Sequence, residues 1–382
     1  MTNDITLDPN LTQQQLMEKA EAGHAFAQYT IAKQKQVQGD EAETLKWMRK
    51  SAEGELFLAE FEMGMWHLLG HLVEFDQKKA LTLIGKAVDQ KFSDAIRLMA
   101  VLHGMGFAVE KNWEKAVDFI IEAAELECPH TLRQIAFLLM REKGMKELCE
   151  KLINRAASFD ELVCLTYLGK KPGEVKAEEI PEGWSEWKKV REKLLKINGP
   201  TEFSAKELNA DPAIRIVENA LTTEECLYLR TLAGPALTPN VQLMGGNPND
   251  PKYKELQNNS LMVFYPIIQD LFTIQMTKRL AAFAEATTEN TELPVVQKYA
   301  VGQEFKEHAD YMDPDNPQQA FAIQQAGQRT KSIFVYLNDD YDGGETAFPK
   351  VDLQFKGKEG DALVLDNMDT IGLPNEKSLH AG

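Results

Sequence analysis

Two histidines stand out in the second half of the chain, because residues 201–382 contain no others. His308 lies two residues before Asp310, and in a β-strand such residues project from the same face. Their imidazole and carboxylate could bind one metal ion, and His380 could supply a second imidazole from far along the chain. Two histidines and one carboxylate leave open positions for a substrate and O2, as in non-heme Fe(II) oxygenases.

The His-x-Asp triplet alone is weak evidence for a metal site, because a histidine two residues before an aspartate occurs often by chance. Taken alone, it favours a surface histidine beside a solvated aspartate. Support for a metal site therefore depends on the secondary structure and the motifs of the surrounding segments.

The sequence of these segments predicts short strands, most of which follow two predicted helices along the chain. A strand is predicted over 213–217, and Thr222 to Glu225 form a capping box that opens a helix through Leu232. An amphipathic helix is predicted over 271–286, and the loop 245–251 is a candidate lid. Further strands follow between Gly and Asp/Asn turns, at 295–300, 332–337, 346–348 and 362–365. The pattern indicates a β-sandwich or jelly roll.

Six motifs occur in one order along this half: QKYAVGQEFKEHADY (297–311), GQR (327–329), YLN (336–338), GGETAFP (343–349), GDAL (360–363) and LHAG (379–382). Together they resemble the prolyl 4-hydroxylase family, from about Pro212 onward. The resemblance implies a double-stranded β-helix, a jelly roll, with flanking helices.

The resemblance also implies roles for individual residues. The metal and catalytic residues are His308, Asp310 and His380, holding Fe(II). Tyr299 and Ser332 match positions that hydrogen-bond the far carboxylate of 2-oxoglutarate, although the family more often has Thr at the second. Arg329 is expected to face the substrate. O2 would convert 2-oxoglutarate to succinate and CO2 while hydroxylating a peptidyl proline, with ascorbate as reductant.

Two positions depart from the family pattern. Phe305 stands where the family often has a tyrosine whose hydroxyl touches the substrate, so we expect Phe305 to contact the substrate and to influence its choice. The family also has a basic residue about one strand after its second histidine. The given sequence ends at Gly382, two residues after His380. We therefore expect that the oxygenase domain is truncated here.

The first half contains an internal repeat of helix pairs. Leu45, Leu81 and Val117 occupy equivalent positions in similar segments, 36 residues apart. The pattern resembles Sel-one-like repeats, relatives of the tetratricopeptide repeat, over residues 15–160. That resemblance implies an α-solenoid that binds a protein or peptide; the alternative is that it only packs on the second half. His67 and His71 could form a metal pair, but repeat packing or a surface position is the favoured interpretation.

The chain thus predicts an α+β multidomain protein: an all-α helical repeat domain over 1–169, a linker over 170–200 and an Fe(II)/2-oxoglutarate dioxygenase domain over 201–382. The linker carries a helix from Trp184 that stops at 198–200. A net charge of −17 argues against nucleic-acid binding. The absence of a signal peptide, of a long apolar run and of CxxC spacing predicts a cytoplasmic protein without a membrane partner.

The sequence is compatible with three functions. The first is a prolyl 4-hydroxylase whose repeats recruit a protein target. The second keeps the oxygenase chemistry but acts on a small molecule or another side chain. The third is a non-catalytic interaction protein with a decayed oxygenase site.

Overall fold

The computed structural model describes residues 5–197, 202–239 and 257–382. The chain forms two compact units, one of residues 1–131 with 180–191 and the other of 132–179 with 192–382. The predicted lid at 245–251 and the predicted helix stop at 198–200 lie outside the described residues. The domain boundaries predicted after residues 169 and 200 stay a prediction, because they concern which segments of the chain fold independently.

The described chain begins with a run of seven helices, a first one of 9 residues and six of 13 residues each. They are α1 (Gln13–Glu21), α2 (Ala25–Val37), α3 (Glu41–Glu53), α4 (Phe57–Leu69), α5 (Gln77–Asp89), α6 (Ser93–Met105) and α7 (Trp113–Glu125). The pairs α2/α3, α4/α5 and α6/α7 pack against each other. Ala27, Ala59 and Ala95, on the first helix of each pair, are completely buried, as expected for small residues that allow close helix packing. The N-terminal region is therefore a helical repeat, as predicted.

The second helix of each pair begins with the same kind of cap. Asp40, Asp76 and Asn112 lie 36 residues apart, and each side-chain oxygen accepts a hydrogen bond from the backbone N–H three residues later, at 3.1, 2.9 and 2.9 Å. These bonds satisfy N–H groups that have no partner inside a helix. The repeat thus fixes helix starts as well as apolar positions.

The repeat histidines brace the turns between helices. The Nδ1 atoms of His67 and His103 lie 3.0 and 3.1 Å from the backbone oxygens of Glu74 and Glu110. Each histidine lies at the end of the first helix of its pair, and each carbonyl lies seven residues later. This is the repeat-packing role that the sequence favoured over a metal pair with His71.

The second unit contains the remaining helices and the sheets. Its helices are α8 (Pro129–Leu139), shared with the first unit, α9 (Lys146–Ala157), α10 (Leu162–Leu168), α11 (Glu186–Lys196), also shared, α12 (Thr223–Ala233), α13 (Leu271–Phe283) and α14 (Pro317–Ala326). Thr222 and Glu225 form the predicted capping box of α12. The helix α14 was not predicted, because its Gln- and Ala-rich sequence has no apolar period and none of its residues is fully buried.

Buried charges join α8 to the helices that flank the sheets. The Arg133 guanidinium contacts Glu161 at 2.5 Å and Asp270 at 3.1 Å, and it donates to the Tyr228 hydroxyl at 3.0 Å. The side chains of the three charged residues are at most 7 % exposed. The helices of 132–179 are therefore part of the same compact body as the sheets.

Nine strands are described in the chain outside the gaps at 198–201 and 240–256. They are β1 (Lys206–Ala210), β2 (Ala213–Val217), β3 (Thr238–Pro239), β4 (Ser260–Val263), β5 (Val295–Lys298), β6 (Lys331–Val335), β7 (Thr346–Phe348), β8 (Leu353–Phe355) and β9 (Ala362–Asp366). They form antiparallel sheets with the orders β1-β2-β9-β6, β3-β4-β5 and β7-β8. The C-terminal region is thus sheet-containing, and β9, with four completely buried residues, lies at its centre.

Two further features complete the fold. All four cysteines, Cys128, Cys149, Cys164 and Cys226, are buried and unpaired with one another. No described helix combines the length and the apolar character needed to cross a membrane.

Candidate metal centre

His308 and His380 lie on neighbouring extended segments that pair through their backbones. The N–H group of each donates to the carbonyl of the other, at 2.9 and 3.0 Å. Phe305 and Gly382 exchange two further backbone bonds beside them, at 2.7 and 2.9 Å. A short antiparallel ladder therefore brings together two histidines that are distant in sequence.

Asp310 completes a group of three possible metal ligands. Its carboxylate oxygens lie 3.5 Å from His308 Nε2 and 3.7 Å from His380 Nε2. One ligand atom from each residue lies within 4.8 Å of the other two. Over residues 5–197, 202–239 and 257–382 this is the one cluster of His, Cys, Asp and Glu that meets that condition. The predicted set is therefore brought to a single point.

The backbone fixes which ring nitrogen faces that point. The Nδ1 atom of His308 lies 2.8 Å from the Lys306 carbonyl oxygen, and that of His380 lies 3.0 Å from the Ser378 carbonyl oxygen. A carbonyl only accepts, so Nδ1 is the donor in both rings, and Nε2 is the nitrogen whose lone pair is free in a neutral ring. This is the outer-shell arrangement usual for metal-binding histidines.

Burial leaves one of these nitrogens without a partner. His380 is 3 % exposed, and its Nε2 is buried without a hydrogen-bond partner among the described residues. Burial lowers the pKa of His380, against an upward effect of Asp310, so the ring favours its neutral form. A buried imidazole with a free lone pair has the chemistry of a metal ligand.

Asp310 is held in its charged form. Burial raises its pKa, but His308, His380 and the Ser332 hydroxyl outweigh that effect and bring it to about 2. The site therefore offers two imidazole nitrogens and one carboxylate oxygen, which is a donor set for a divalent transition metal.

Aromatic rings surround the two histidines. The Phe305 ring stacks on His308, with 3.4 Å between centroids and 10° between planes. Phe334 and Phe348 contact the His380 ring, at centroid distances of 5.1 and 5.6 Å. Phe305, predicted to contact the substrate, is 9 % exposed and lies against a candidate ligand. The rings limit how far the imidazoles can turn.

Tyr299 lies just after β5, within electrostatic range of Asp310. Its hydroxyl donates to Gln297 Oε1 at 2.9 Å, and Asn259 Nδ2 donates to the same oxygen at 2.9 Å. Tyr299 is 40 % exposed as a whole residue, but partial burial of its phenol raises the pKa to about 12, with a downward effect of Gln257 and an upward effect of the Asp310 charge. The hydroxyl is therefore neutral and able to donate at physiological pH.

Ser332 and Arg329 lie in different surroundings. The Ser332 hydroxyl interacts with Asp310 and accepts a bond of 3.0 Å from Asn367 Nδ2. Arg329 makes a two-pronged ion pair with Glu292, and both side chains are largely exposed. The structure thus brings Ser332 to the metal ligands and places Arg329 at the surface, engaged by an acid.

Asn367 was not recognised from the sequence. It lies one residue beyond β9 and 57 residues from Asp310, and an asparagine before a turn-rich segment carries no distinctive signal. Gln257 and Asn259, which donate to Gln297, were missed for the same reason. Only the pairing of strands brings these amides to the site.

Comparison with known proteins finds curated relatives of part of the chain. Prolyl 4-hydroxylase 1 of Arabidopsis thaliana is 30 % identical over 190 residues, which cover 45 % of this chain and 63 % of that protein. Part of this chain is similar to prolyl 4-hydroxylases. Prolyl 4-hydroxylase 5 of the same plant is 30 % identical over 193 residues, and a putative prolyl 4-hydroxylase of Acanthamoeba polyphaga mimivirus is 26 % identical over 171. The chain spans just under two thirds of the length of these curated relatives. No protein-family model matches the chain.

Two solved structures show weak similarity to parts of the chain. A Sel1 repeat protein from Oxalobacter formigenes is 23 % identical, covering 31 % of this chain and 92 % of that one, with a TM-score of 0.29. The viral collagen prolyl hydroxylase of Paramecium bursaria Chlorella virus-1 is 22 % identical, covering 44 % of this chain and 86 % of that one, with a TM-score of 0.33. Neither score reaches 0.5, so the fold described above rests on this chain's own elements.

Proposed function

We propose that the second unit is an Fe(II)- and 2-oxoglutarate-dependent hydroxylase, and that its substrate is a proline in a protein or peptide. The observation that carries this proposal is the meeting of His308, Asp310 and His380 within 4.8 Å, with the buried Nε2 of His380 lacking a partner. The similarity to prolyl 4-hydroxylases supports the choice of reaction.

The three side chains fit Fe(II) because two imidazole nitrogens and one carboxylate leave open positions. When bound, Fe(II) supplies O2-dependent oxidation coupled to conversion of 2-oxoglutarate to succinate and CO2. The chain's own part is to orient the ligands through the Lys306 and Ser378 carbonyls. The aromatic rings around the histidines help to exclude water, which protects a reactive site from side reactions.

The cosubstrate is proposed to lie with its far carboxylate toward Tyr299 and Ser332. Both hydroxyls are close enough to Asp310 to affect it or be affected by it electrostatically. Because the pKa of Tyr299 is about 12, its phenol stays protonated and can donate to a carboxylate.

The substrate side of the proposal rests on Phe305 and Arg329. Phe305 has no hydroxyl to offer a substrate, and its ring is already stacked on His308. That observation favours a second candidate, in which the same chemistry acts on a small molecule or another side chain. Arg329 is paired with Glu292, so an acidic substrate group would have to displace that carboxylate.

The remaining elements of the proposal concern architecture and setting. We assign the sheets of the second unit to a double-stranded β-helix, a jelly roll, supported by the antiparallel pairing around β9. The helical repeats are proposed to recruit the protein substrate, and ascorbate to act as reductant. A reducing, cytoplasmic compartment is consistent with four buried free cysteines.

The test is succinate release by the full chain with Fe(II), 2-oxoglutarate and O2, in the presence of proline-containing peptides, whole proteins or small molecules. His380→Ala should abolish turnover, whereas the matched change His71→Ala in the repeats should not. Hydroxyproline in the product supports the first candidate, and turnover with small molecules alone supports the second. Undiminished turnover in His380→Ala would contradict the assignment of the site.

A further inference from the structure

Asn367 is a buried amide held firmly at the edge of the metal centre. It is completely buried, its backbone N–H donates to Thr330 at 2.8 Å, and its carbonyl accepts from Asn375 N–H at 2.9 Å. It follows β9, which pairs with β6. In that pairing Leu365 of β9 lies opposite Ser332 of β6. The side chain is therefore delivered next to Ser332 by two fixed strands.

The neighbours of this amide determine its orientation. Its Nδ2 lies 3.2 Å from the Arg329 carbonyl oxygen and 3.0 Å from Ser332 Oγ. A carbonyl oxygen can only accept, so the NH2 group must face it, and the amide cannot be flipped. Both hydrogens of the NH2 group are then in use, while Oδ1 is buried without a partner among the described residues.

This arrangement limits what Ser332 can do. A serine hydroxyl has one proton, and its oxygen is already accepting from Asn367. The proton is therefore available for donation. Ser332 lies on the same face of β6 as Phe334, whose ring contacts His380, so the hydroxyl borders the metal centre and interacts there with the Asp310 carboxylate. Without Asn367, the same hydroxyl could rotate and donate elsewhere.

We propose that Asn367 is a positioning residue that keeps the Ser332 hydroxyl as a hydrogen-bond donor toward a carboxylate in the metal centre. In the structure that carboxylate belongs to the candidate ligand Asp310. For the cosubstrate, and here the inference rests on the proposed function, it is the far carboxylate of 2-oxoglutarate. Because one hydroxyl donates one proton, Ser332 serves one of the two carboxylates at a time.

The test is a double-mutant cycle with Asn367→Ala and Ser332→Ala in the full chain. Calorimetry measures the affinity for Mn(II), used as a redox-stable substitute, and then for 2-oxoglutarate in the Mn(II)-loaded protein without O2. Asn367→Ala should weaken 2-oxoglutarate binding about five- to tenfold when Ser332 is present. It should cause no further loss in the Ser332→Ala background, because its effect passes through that hydroxyl.

Two further variants separate positioning from folding. Asn367→Leu keeps the branching at Cγ without the amide and should behave like Asn367→Ala in 2-oxoglutarate affinity. Thermal unfolding checks that each variant folds. Ser332→Thr keeps the hydroxyl, so Asn367→Ala should remain harmful in that background. An equal loss of affinity with and without the Ser332 hydroxyl, or no loss at all, would overturn the positioning role.

Failure of the proposed function would be visible separately. If the wild-type chain binds Mn(II) but not 2-oxoglutarate, the cosubstrate assignment is wrong, and the Mn(II) affinities then decide the role of Asn367. A loss of Mn(II) affinity on Asn367→Ala that depends on Ser332 would support positioning of Asp310. A loss of Mn(II) affinity that is the same with and without the Ser332 hydroxyl, or no loss of Mn(II) affinity, would overturn the positioning role of Asn367.

Discussion

The repeat histidines and the metal-centre histidines differ in what surrounds the second ring nitrogen. In both regions Nδ1 lies against a backbone carbonyl: His67 and His103 bind carbonyls seven residues later, while His308 and His380 bind carbonyls two residues earlier. Nε2 is buried without a described partner in His67 as well as in His380. A buried, oriented imidazole is therefore not enough to indicate a ligand.

The decisive difference is convergence. His380 meets a second imidazole and a carboxylate within 4.8 Å, and no other such group is found in the described parts of the chain. Repeat contacts are made over short sequence distances, so they recur with the period and bring the same residue types together each time. The metal centre depends instead on strand pairing between distant segments, which can combine different donors.

The largest expected effect is on metal affinity. Asp310→Ala should weaken Mn(II) binding by more than about a hundredfold, because it removes a donor and the charge that favours a cation. His67→Ala should leave that affinity unchanged. Calorimetry on both variants checks the comparison, with the exposed Asp315→Ala as a matched control for loss of a carboxylate. Strong Mn(II) binding by Asp310→Ala would place the metal elsewhere.

The next effect concerns how the second unit is held together. Arg133→Met should lower the free energy of unfolding by about 3–5 kcal/mol, because Glu161 and Asp270 would become buried charges without a cation. Lys193→Met, which removes a partly exposed pair with Glu142, should cost less than about 1 kcal/mol. Urea denaturation followed by circular dichroism measures both. Equal costs would show that the buried cluster is no more important than a surface pair.

The smallest effect tests the equivalence of the repeat histidines. His67→Ala should cost about 1–2 kcal/mol of unfolding free energy through the lost bond to the turn carbonyl. His103→Ala should cost about 0.5–1 kcal/mol more, because its ring also stacks on Phe119 at 5.7 Å, where the equivalent residue of the preceding repeat is Leu83. The same denaturation experiment applies. A larger cost at His67 would contradict the repeat description.

Local signals made much of the fold predictable. The capping box of Thr222 and Glu225 and the caps at Asp76 and Asn112 involve residues three apart, so their partners are visible in the sequence. The predicted strands at 213–217 and 346–348 match β2 and β7, and the others differ by a few residues at their ends. Such ends depend on strand partners that a single sequence does not reveal.

Of the metal centre, only the three candidate metal ligands could be predicted from the sequence. His308 and Asp310 share a short motif, and His380 was the remaining histidine in that half. The stacking of Phe305, the pairing of Arg329 with Glu292 and the donation by Asn367 all arise from contacts between distant segments. Composition and periodicity contain no information about those pairings, which is why these features emerged from the structure.

The four buried cysteines have a practical consequence for spectroscopy. Burial raises the pKa of Cys149 and of Cys226 to about 12, so their thiols are rarely in the reactive thiolate form. A cysteine introduced at Phe321, which is 62 % exposed on α14, should therefore react with a maleimide dye or nitroxide in preference to the native thiols. The low reactivity of the native thiols thus allows a single reporter to be attached at a chosen position on α14.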